Sequence, residues 1–417
     1  MTASSASASA TARPTVHRMT RDELRASLSL AAIFALRMLG LFLVLPVFVL
    51  EAARYPGGDD PALVGLAMGI YGLTQAVMQV PLGLASDRIG RKKIIVAGLL
   101  VFALGSAVAA LAGSVHMLVA GRALQGAGAV SAAVTALLAD LTRDEVRTKG
   151  MALVGISIAA MFALSLMAAP PLAGAIGLSG LFWLTAILAV AGIVVVLRWT
   201  PDEPVQPADM PRGKLSEVWL HPHLWRLDLG VFVLHAVQMA MWVVVPALLV
   251  RAGLEQELHW QLYLPAVLVS FVFMGGLFAL ERRGYLRAVL RGGIALLMLV
   301  QIALLVLAPR APGLWTLGVV MFFFFMAFNL IEASQPSLIS RLAPADARGA
   351  ALGVYNTLQS LGLFAGGALG GWLFKLGDAP AVLIGTSLLA ALWLLLGWAQ
   401  VVPLPGQKPA SASTPSS

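Results

Sequence analysis

The chain has 417 residues, 59% of them hydrophobic and 12% charged, with a mean hydropathy of +0.88 and a formal net charge of +8. Soluble domains carry about 25% charged residues, so a soluble fold is excluded and an all-α integral membrane protein is expected. With no cysteine, disulfides and thiolate metal sites are excluded.

Residues 1–26 are rich in Ser, Ala and Thr and carry Arg13, Arg18, Arg21 and Arg25. They read as a disordered cytoplasmic N-tail rather than a transit peptide. A helix needs about 20 apolar residues to cross the bilayer. Twelve spans are predicted, at 27–50, 61–83, 94–113, 115–139, 149–173, 178–198, 226–250, 260–280, 292–308, 313–340, 348–374 and 379–401. The polar connection 199–225, with Pro201, Pro204, Pro207 and Pro211, divides them into six-helix bundles at 27–198 and 226–402. Near its end Trp219, Leu220, Leu224 and Trp225 suit an interfacial helix. Residues 403–417 read as a disordered cytoplasmic C-tail. With both termini inside, 22 Lys and Arg fall on the cytoplasmic side and four outside (Arg54, Arg251, Arg310, Lys375). That bias fixes the expected orientation. It also accounts for the basic charge without a nucleic-acid partner.

Ionisable side chains at membrane depth cost roughly 2.5–3.5 kcal/mol on insertion scales. Four are placed there: Arg37 in span 1, Arg122 in span 4, His235 in span 7 and Glu332 in span 10. Spans 3, 6, 9 and 12 have none in mid-span, Gln301 being their one strongly polar side chain. Spans 1, 4, 7 and 10 are therefore expected to face a wet cavity. Tyr71, Gln75 and Gln79 in span 2, Gln238 in span 7, Asn329 one turn before Glu332, and Asn356 with Gln359 in span 11 are expected to line it. Glu332 and His235 are the residues expected to take part in proton coupling.

The two halves repeat. Leu137-Leu138-Ala139-Asp140-Leu141 is echoed at Leu338-Ile339-Ser340-Arg341-Leu342, Arg147 at Arg348, and Pro46 at Pro246. Between spans 2 and 3 lies Gly83-Leu84-Ala85-Ser86-Asp87-Arg88-Ile89-Gly90-Arg91-Lys92-Lys93, and Glu281-Arg282-Arg283-Gly284 reads as its decayed copy.

That loop, G-x-x-x-D-R-x-G-R-K-K, resembles the signature loop of the major facilitator superfamily. The parallel 6+6 repeat is similarly the build of that fold. Gly121-Arg122-Ala123-Leu124-Gln125-Gly126 resembles the family's R-x-x-Q-G motif, which implies a part for Arg122 in proton coupling. Leu36-Arg37-Met38-Leu39-Gly40, Tyr71-Gly72-Leu73-Thr74-Gln75-Ala76 and Ala327-Phe328-Asn329-Leu330-Ile331-Glu332-Ala333 make the chain look like the YajR branch of proton-driven efflux transporters. The likeness runs through nearly all of residues 25–402. It implies a latch in the outward-open state, made by Gly83, Asp87, Arg88, Gly90, Arg91 and Lys92. Asp87 would face the start of span 11 near Gly353, and Arg91 would pair with Asp140. A carboxylate at a helix N-terminus gains about 0.3–1 kcal/mol.

The sequence departs from the pattern in span 5, where Ala168-Ala169-Pro170-Pro171-Leu172-Ala173-Gly174 stands in place of the Gly-Pro pair of drug antiporters. The transport core alone is expected, without the small C-terminal soluble domain of that branch. The resulting expectation is a secondary active transporter, not an enzyme, exporting a small, partly apolar compound by proton-coupled alternating access. A transporter of a polar metabolite such as a sugar or organic anion, with Arg37 binding the anion, is the second reading, and a transport-inactive sensor the third. An ATP-driven pump is disfavoured because no Gly-x-x-x-x-Gly-Lys-Ser/Thr loop is present. The expected partners are membrane lipid, a small-molecule substrate and protons. No cofactor or metal is expected, and the chain is expected to be a monomer in a bacterial inner membrane.

Overall fold

The computed structural model describes residues 18–203, 224–310, 312–343 and 348–398. Ten helices are long and apolar enough to cross a membrane. Two of them, Asp144–Arg198 and Arg348–Gly397, are 55 and 50 residues long. At 1.5 Å per residue each would greatly exceed the roughly 30 Å of a hydrocarbon core. Each turns back on itself, the first at Gly177 (φ 67°) and the second at Gly377 and Asp378 (φ 54°). Two hairpins and eight single crossings give twelve spans.

Spans 1 to 4 are Arg21–Val44 continued by Phe48–Ala52, Pro61–Ile89, Arg91–Ala110, and Val115–Ala127 with Ser131–Asp140. Spans 5 and 6 share Asp144–Arg198. Spans 7 to 10 are Leu224–Arg251, Trp260–Leu280, Leu286–Leu307 and Leu314–Leu342, and spans 11 and 12 share Arg348–Gly397.

Three sequence-based boundaries are corrected. Span 1 begins at Arg21 rather than residue 27, because Thr20 and Glu23 form a capping box that satisfies two orphan amide groups. Glu23 also receives Arg143 Nε at 2.8 Å, which ties this end to the start of span 5. Span 4 is broken at residues 128–130 rather than continuous. Gly128 packs so tightly on span 3 that a Cβ there would stand 2.4 Å from the Gly98 carbonyl oxygen. Leu224 and Trp225 open span 7 rather than close an interfacial helix. The rest of that proposed helix, the tail before residue 18 and the tail 403–417 lie outside the described residues.

The repeat is visible in the backbone. Gly90 (φ 115°) and Gly284 (φ 95°) occupy corresponding loops, and both need the left-handed freedom that only glycine supplies cheaply. The Glu281–Gly284 segment is thus the counterpart of the signature loop. Pro46 breaks span 1 between Val44 and Phe48, whereas Pro246 is accommodated inside span 7.

The core is divided unequally between the two membrane faces. One face carries the loops rich in Lys and Arg, here the basic face. The other is the far face. Toward the far face one cluster joins both halves, bringing Val44, Phe48, Phe162 and Leu178 together with Val237, Trp242, Phe324 and Phe325. Toward the basic face there are two clusters. Leu30, Ile33, Ile95, Leu137 and Val196 come from the first half alone. Leu224, Val231, Leu290, Leu338 and Tyr355 come from the second half alone. The bundles are packed as one body beyond mid-membrane and as two bodies before it.

Candidate functional site: the central cavity and the signature loop

Closure at the far face rests on small residues. Spans 2 and 11 cross so closely that a Cβ on Gly65 would stand 2.4 Å from the Gly367 carbonyl oxygen, and one on Gly69 2.6 Å from that of Phe364. A Cβ on Gly72 would stand 2.4 Å from the Ser360 carbonyl oxygen. Three hydrogen bonds cross between the halves here. Gln75 Nε2 donates to Ser360 Oγ at 2.9 Å, Gln256 Nε2 to Glu51 Oε1 at 2.8 Å, and Lys375 Nζ to Asp60 Oδ2 at 3.0 Å. The Lys375 ammonium holds the Asp60 carboxyl below the usual carboxylate range. On the basic-face side the same two spans part. Gly83 meets only Ala132 of its own half, and no atom comes within 4 Å of where a Cβ on Gly353 would stand. The cavity therefore opens toward the basic face.

In the second half, span 10 presents Glu332, span 7 His235 and span 11 Gln359 to one another. His235 Nδ1 lies 3.0 Å from the Val231 carbonyl oxygen and donates to it. Its Nε2 then offers a lone pair. Gln359 Nε2 stands 2.8 Å from that atom and 3.1 Å from Glu332 Oε1, and its two amide hydrogens serve both acceptors. Glu332 Oε2 is buried 3.5 Å from His235 Nε2 and has no hydrogen-bond partner among the described residues. The His235 ring packs edge-on against Phe328, with centroids 5.7 Å apart. The side chain of Glu332 is 34% exposed, that of His235 only 6%. Asn329, Asn356, Gln359 and Gln75 are half-buried as well. Asn329 Nδ2 donates to Ser270 Oγ at 3.1 Å.

The first half is different. Arg37 is 1% exposed. It donates to Ser131 Oγ (3.1 Å), Tyr71 Oη (2.7 Å) and Gln75 Oε1 (3.2 Å), and its guanidinium lies 5.5 Å from the Phe102 ring centroid. The expectation that Arg37, Tyr71 and Gln79 line the cavity is corrected for this conformation. Tyr71 (1%) and Gln79 (2%) are buried too, Tyr71 against Phe102 and the Arg122 guanidinium. Gln238 (7%) and His235 (4%) likewise sit behind the cavity wall. Arg122, also 1% exposed, donates to Gln125 Oε1 (2.9 Å) and the Met68 carbonyl (3.2 Å) and lies 5.0 Å from the Tyr71 ring centroid. Gln125 in turn donates to Ser106 Oγ at 2.8 Å. These contacts hold spans 2, 3 and 4 together.

At the basic face the signature loop is one connected cluster. Arg91 Nε donates to Asp140 Oδ2 at 3.1 Å, while its Nη1 donates to Ser86 Oγ at 2.8 Å and pairs with Asp87. Arg88 is exposed. The start of the inter-half connection docks on the same loop. Glu203 Oε2 accepts from the Arg91 amide at 2.6 Å, capping span 3. Lys92 Nζ reaches the Thr200 carbonyl (2.9 Å) and Asp202 (2.8 Å), and the Lys92 bond holds the Asp202 carboxyl below its usual range.

Several residues here escaped the sequence reading. Glu203 and Asp202 read as linker, although an acid pair just after span 6 beside a basic loop is a usable signal. Glu51 and Asp60 escaped because their partners lie 205 and 315 residues away. Asp228 is 8% exposed in the first turn and a half of span 7, where it read as a helix end.

The model of the Major Facilitator Superfamily matches residues 30–367. The inner membrane transport protein YajR of Escherichia coli is 43% identical over 383 residues, covering 91% of this chain and 84% of that protein. Multidrug resistance protein 2 of Bacillus subtilis is 24% identical over 86% of this chain and 92% of its own length. Among solved structures, a bacterial homologue of the human lysosomal transporter Spinster, in an inward-facing and occupied conformation, superposes with a TM-score of 0.72. It is 15% identical and covers 91% of this chain and 97% of that one. The family match spans most of the chain, and the helices, hairpins and halves fit it. The chain therefore belongs to the Major Facilitator Superfamily and is a multi-pass membrane protein and secondary transporter, not an enzyme.

Proposed function

We propose that the chain is a proton-coupled exporter of a small, partly apolar compound, with Glu332 carrying the proton. The observation that carries this reading is the Glu332–Gln359–His235 cluster, a partly exposed acidic side chain whose Oε2 is buried 3.5 Å from the histidine Nε2. A proton on Glu332 Oε2 competes with the Gln359 amide for the single lone pair of His235 Nε2, 3.5 Å away. Without that proton, the Gln359 amide alone holds the carboxylate and the ring nitrogen together. Gain or loss of the proton thus gives the cluster a reason to rearrange, which is what coupling requires.

The bias of Lys and Arg toward one face supports a cytoplasmic basic face with both termini inside. Opening toward that face then corresponds to an inward-facing state. The printed names of YajR, as an inner membrane protein, and of the resistance protein support a bacterial inner membrane and export. An apolar substrate suits a wall with Phe328 beside the polar cluster. The polar-metabolite reading has less support, because Arg37 is buried among neutral partners rather than presented to the cavity.

The test is Glu332→Gln in proteoliposomes loaded with a candidate drug panel. Uphill movement driven by a pH step should be abolished, while downhill flux or exchange persists. Uphill transport retained by the variant would show that Glu332 is not the carrier and would move attention to His235.

A further inference from the structure

Spans 7, 9, 10 and 12 leave a crevice at the basic face of the second half, lined among others by Arg226, Arg287, Arg291, Gln335 and Trp393. It encloses about 30 Å³, room for about two waters and far below the few hundred Å³ of a small-molecule pocket. It is therefore not a route for the transported compound. Its character is set by charge and depth. Arg287 and Arg291 stand one turn apart on span 9, and Arg226 faces them from span 7. Among the described residues, neither Arg287 nor Arg291 has a carboxylate partner. Arg291 Nε is buried without an acceptor. Its guanidinium is fixed 4.2 Å from the Trp398 ring centroid, and its Nη2 donates to the Trp398 carbonyl. The Arg226 guanidinium lies 5.6 Å from the Trp225 ring centroid.

Trp225 and Trp398 are 41% and 58% exposed. Indoles at the ends of membrane spans mark the headgroup level. Directly along span 12 from this point, Leu395 and Leu392 are exposed on the apolar surface. A cluster of guanidinium groups at headgroup depth, that of Arg291 held against Trp398 and that of Arg287 exposed, is continuous with an exposed aliphatic strip and matches an amphiphile with an anionic head. Guanidinium forks suit phosphate geometry, since two parallel N–H groups meet two oxygens. We propose that the guanidinium groups at the mouth of this crevice bind the phosphate headgroup of an anionic phospholipid from the leaflet at the basic face. The lipid's acyl chains run along span 12. A lipid is favoured over free phosphate because the aliphatic strip and the two indoles have no use for a free anion. The site acts on the second half alone and does not depend on proton coupling at Glu332.

The experiment is native mass spectrometry of the full chain in detergent, titrated with phosphatidylglycerol and, separately, phosphatidylethanolamine. Wild type should retain one phosphatidylglycerol in preference to phosphatidylethanolamine. The double variant R287Q/R291Q should lose about ten- to hundredfold in phosphatidylglycerol affinity, the scale of one charged hydrogen bond. The double variant R287K/R291K should keep part of the preference, and inorganic phosphate in large excess should not displace the lipid. Equal binding of both lipids by wild type would overturn the proposal, as would unchanged affinity in the Gln variant. Displacement by inorganic phosphate would make this a free-anion site and overturn the lipid assignment. Thermal unfolding without added lipid checks that the variants fold. Should the Gln variant not fold, the comparison of the two lipids on wild type and the Lys variant decides.

Discussion

Adding one methyl group at Gly65 tests the closure of the far face. In Gly65→Ala the new Cβ would stand 2.4 Å from the Gly367 carbonyl oxygen and 2.6 Å from Gly371 Cα. Optimal carbon–carbon separation is about 3.5–4.0 Å, so spans 2 and 11 must part by about 1 Å. Both obstructing atoms are backbone, so no side chain can swing aside to relieve the clash. Overpacking of this kind costs about 1–3 kcal/mol. The cost falls on the far-face-closed state and not on one in which the two spans have separated. In a two-state equilibrium that difference changes the population ratio by about 5- to 150-fold. The natural chain has no cysteine, so spin labels can be placed without background. Labels at Asp59 and Arg310 read the far face, and labels at Lys93 and Arg283 the basic face. All four positions are exposed. The first distance should lengthen and the second shorten. The control is Gly275→Ala, where no atom lies within 4 Å of the added Cβ. Distributions in Gly65→Ala that match the control would refute the reasoning.

At the other end of that crossing, Lys375 keeps Asp60 ionised below the usual carboxylate range. The bridge therefore adds to closure above that range and is lost as pH falls through the lowered value. The far-face distance should lengthen on acidification, and Asp60→Asn should remove that pH dependence; an unchanged profile in the variant would assign the effect elsewhere. Glu203→Ala removes the acceptor at the Arg91 amide, a capping loss of about 0.5–2 kcal/mol. Hydrogen exchange in the 88–95 region should accelerate, and unaltered exchange would contradict the cap. Asp87→Asn should weaken the outward-open state in which Asp87 is expected to meet span 11. Transport should slow and the basic-face distance increase, whereas wild-type rates and distances would exclude a latch role.

Apolar run length was enough to find the spans, and the few ionisable residues within them marked the ones expected to face the cavity, because every charge at membrane depth must be compensated. Glu332 stood out for that reason, and the structure gives it Gln359 and His235 as neighbours. Arg91 and Asp140, expected to pair in the outward-open state, stand 3.1 Å apart with the basic face open, so their contact is not confined to that state. What stayed hidden was of two kinds. Contacts between halves, such as Lys375 with Asp60, join residues 315 apart with no local pattern to announce them. The exposure of Arg37 depends on which face is closed, and a sequence specifies both states at once. A polar residue in a span thus reads as cavity-facing even where, as with Gln79, one conformation buries it.

The turns at Gly177 and at Gly377–Asp378 leave almost no slack between spans 5 and 6 or between spans 11 and 12. A helix cannot tilt far when its end is pinned to its neighbour by one or two residues. When span 11 swings away from span 2, span 12 is carried with it, and span 6 follows span 5 in the same way. The bending joints of this machine must therefore lie elsewhere, as at the break in span 4.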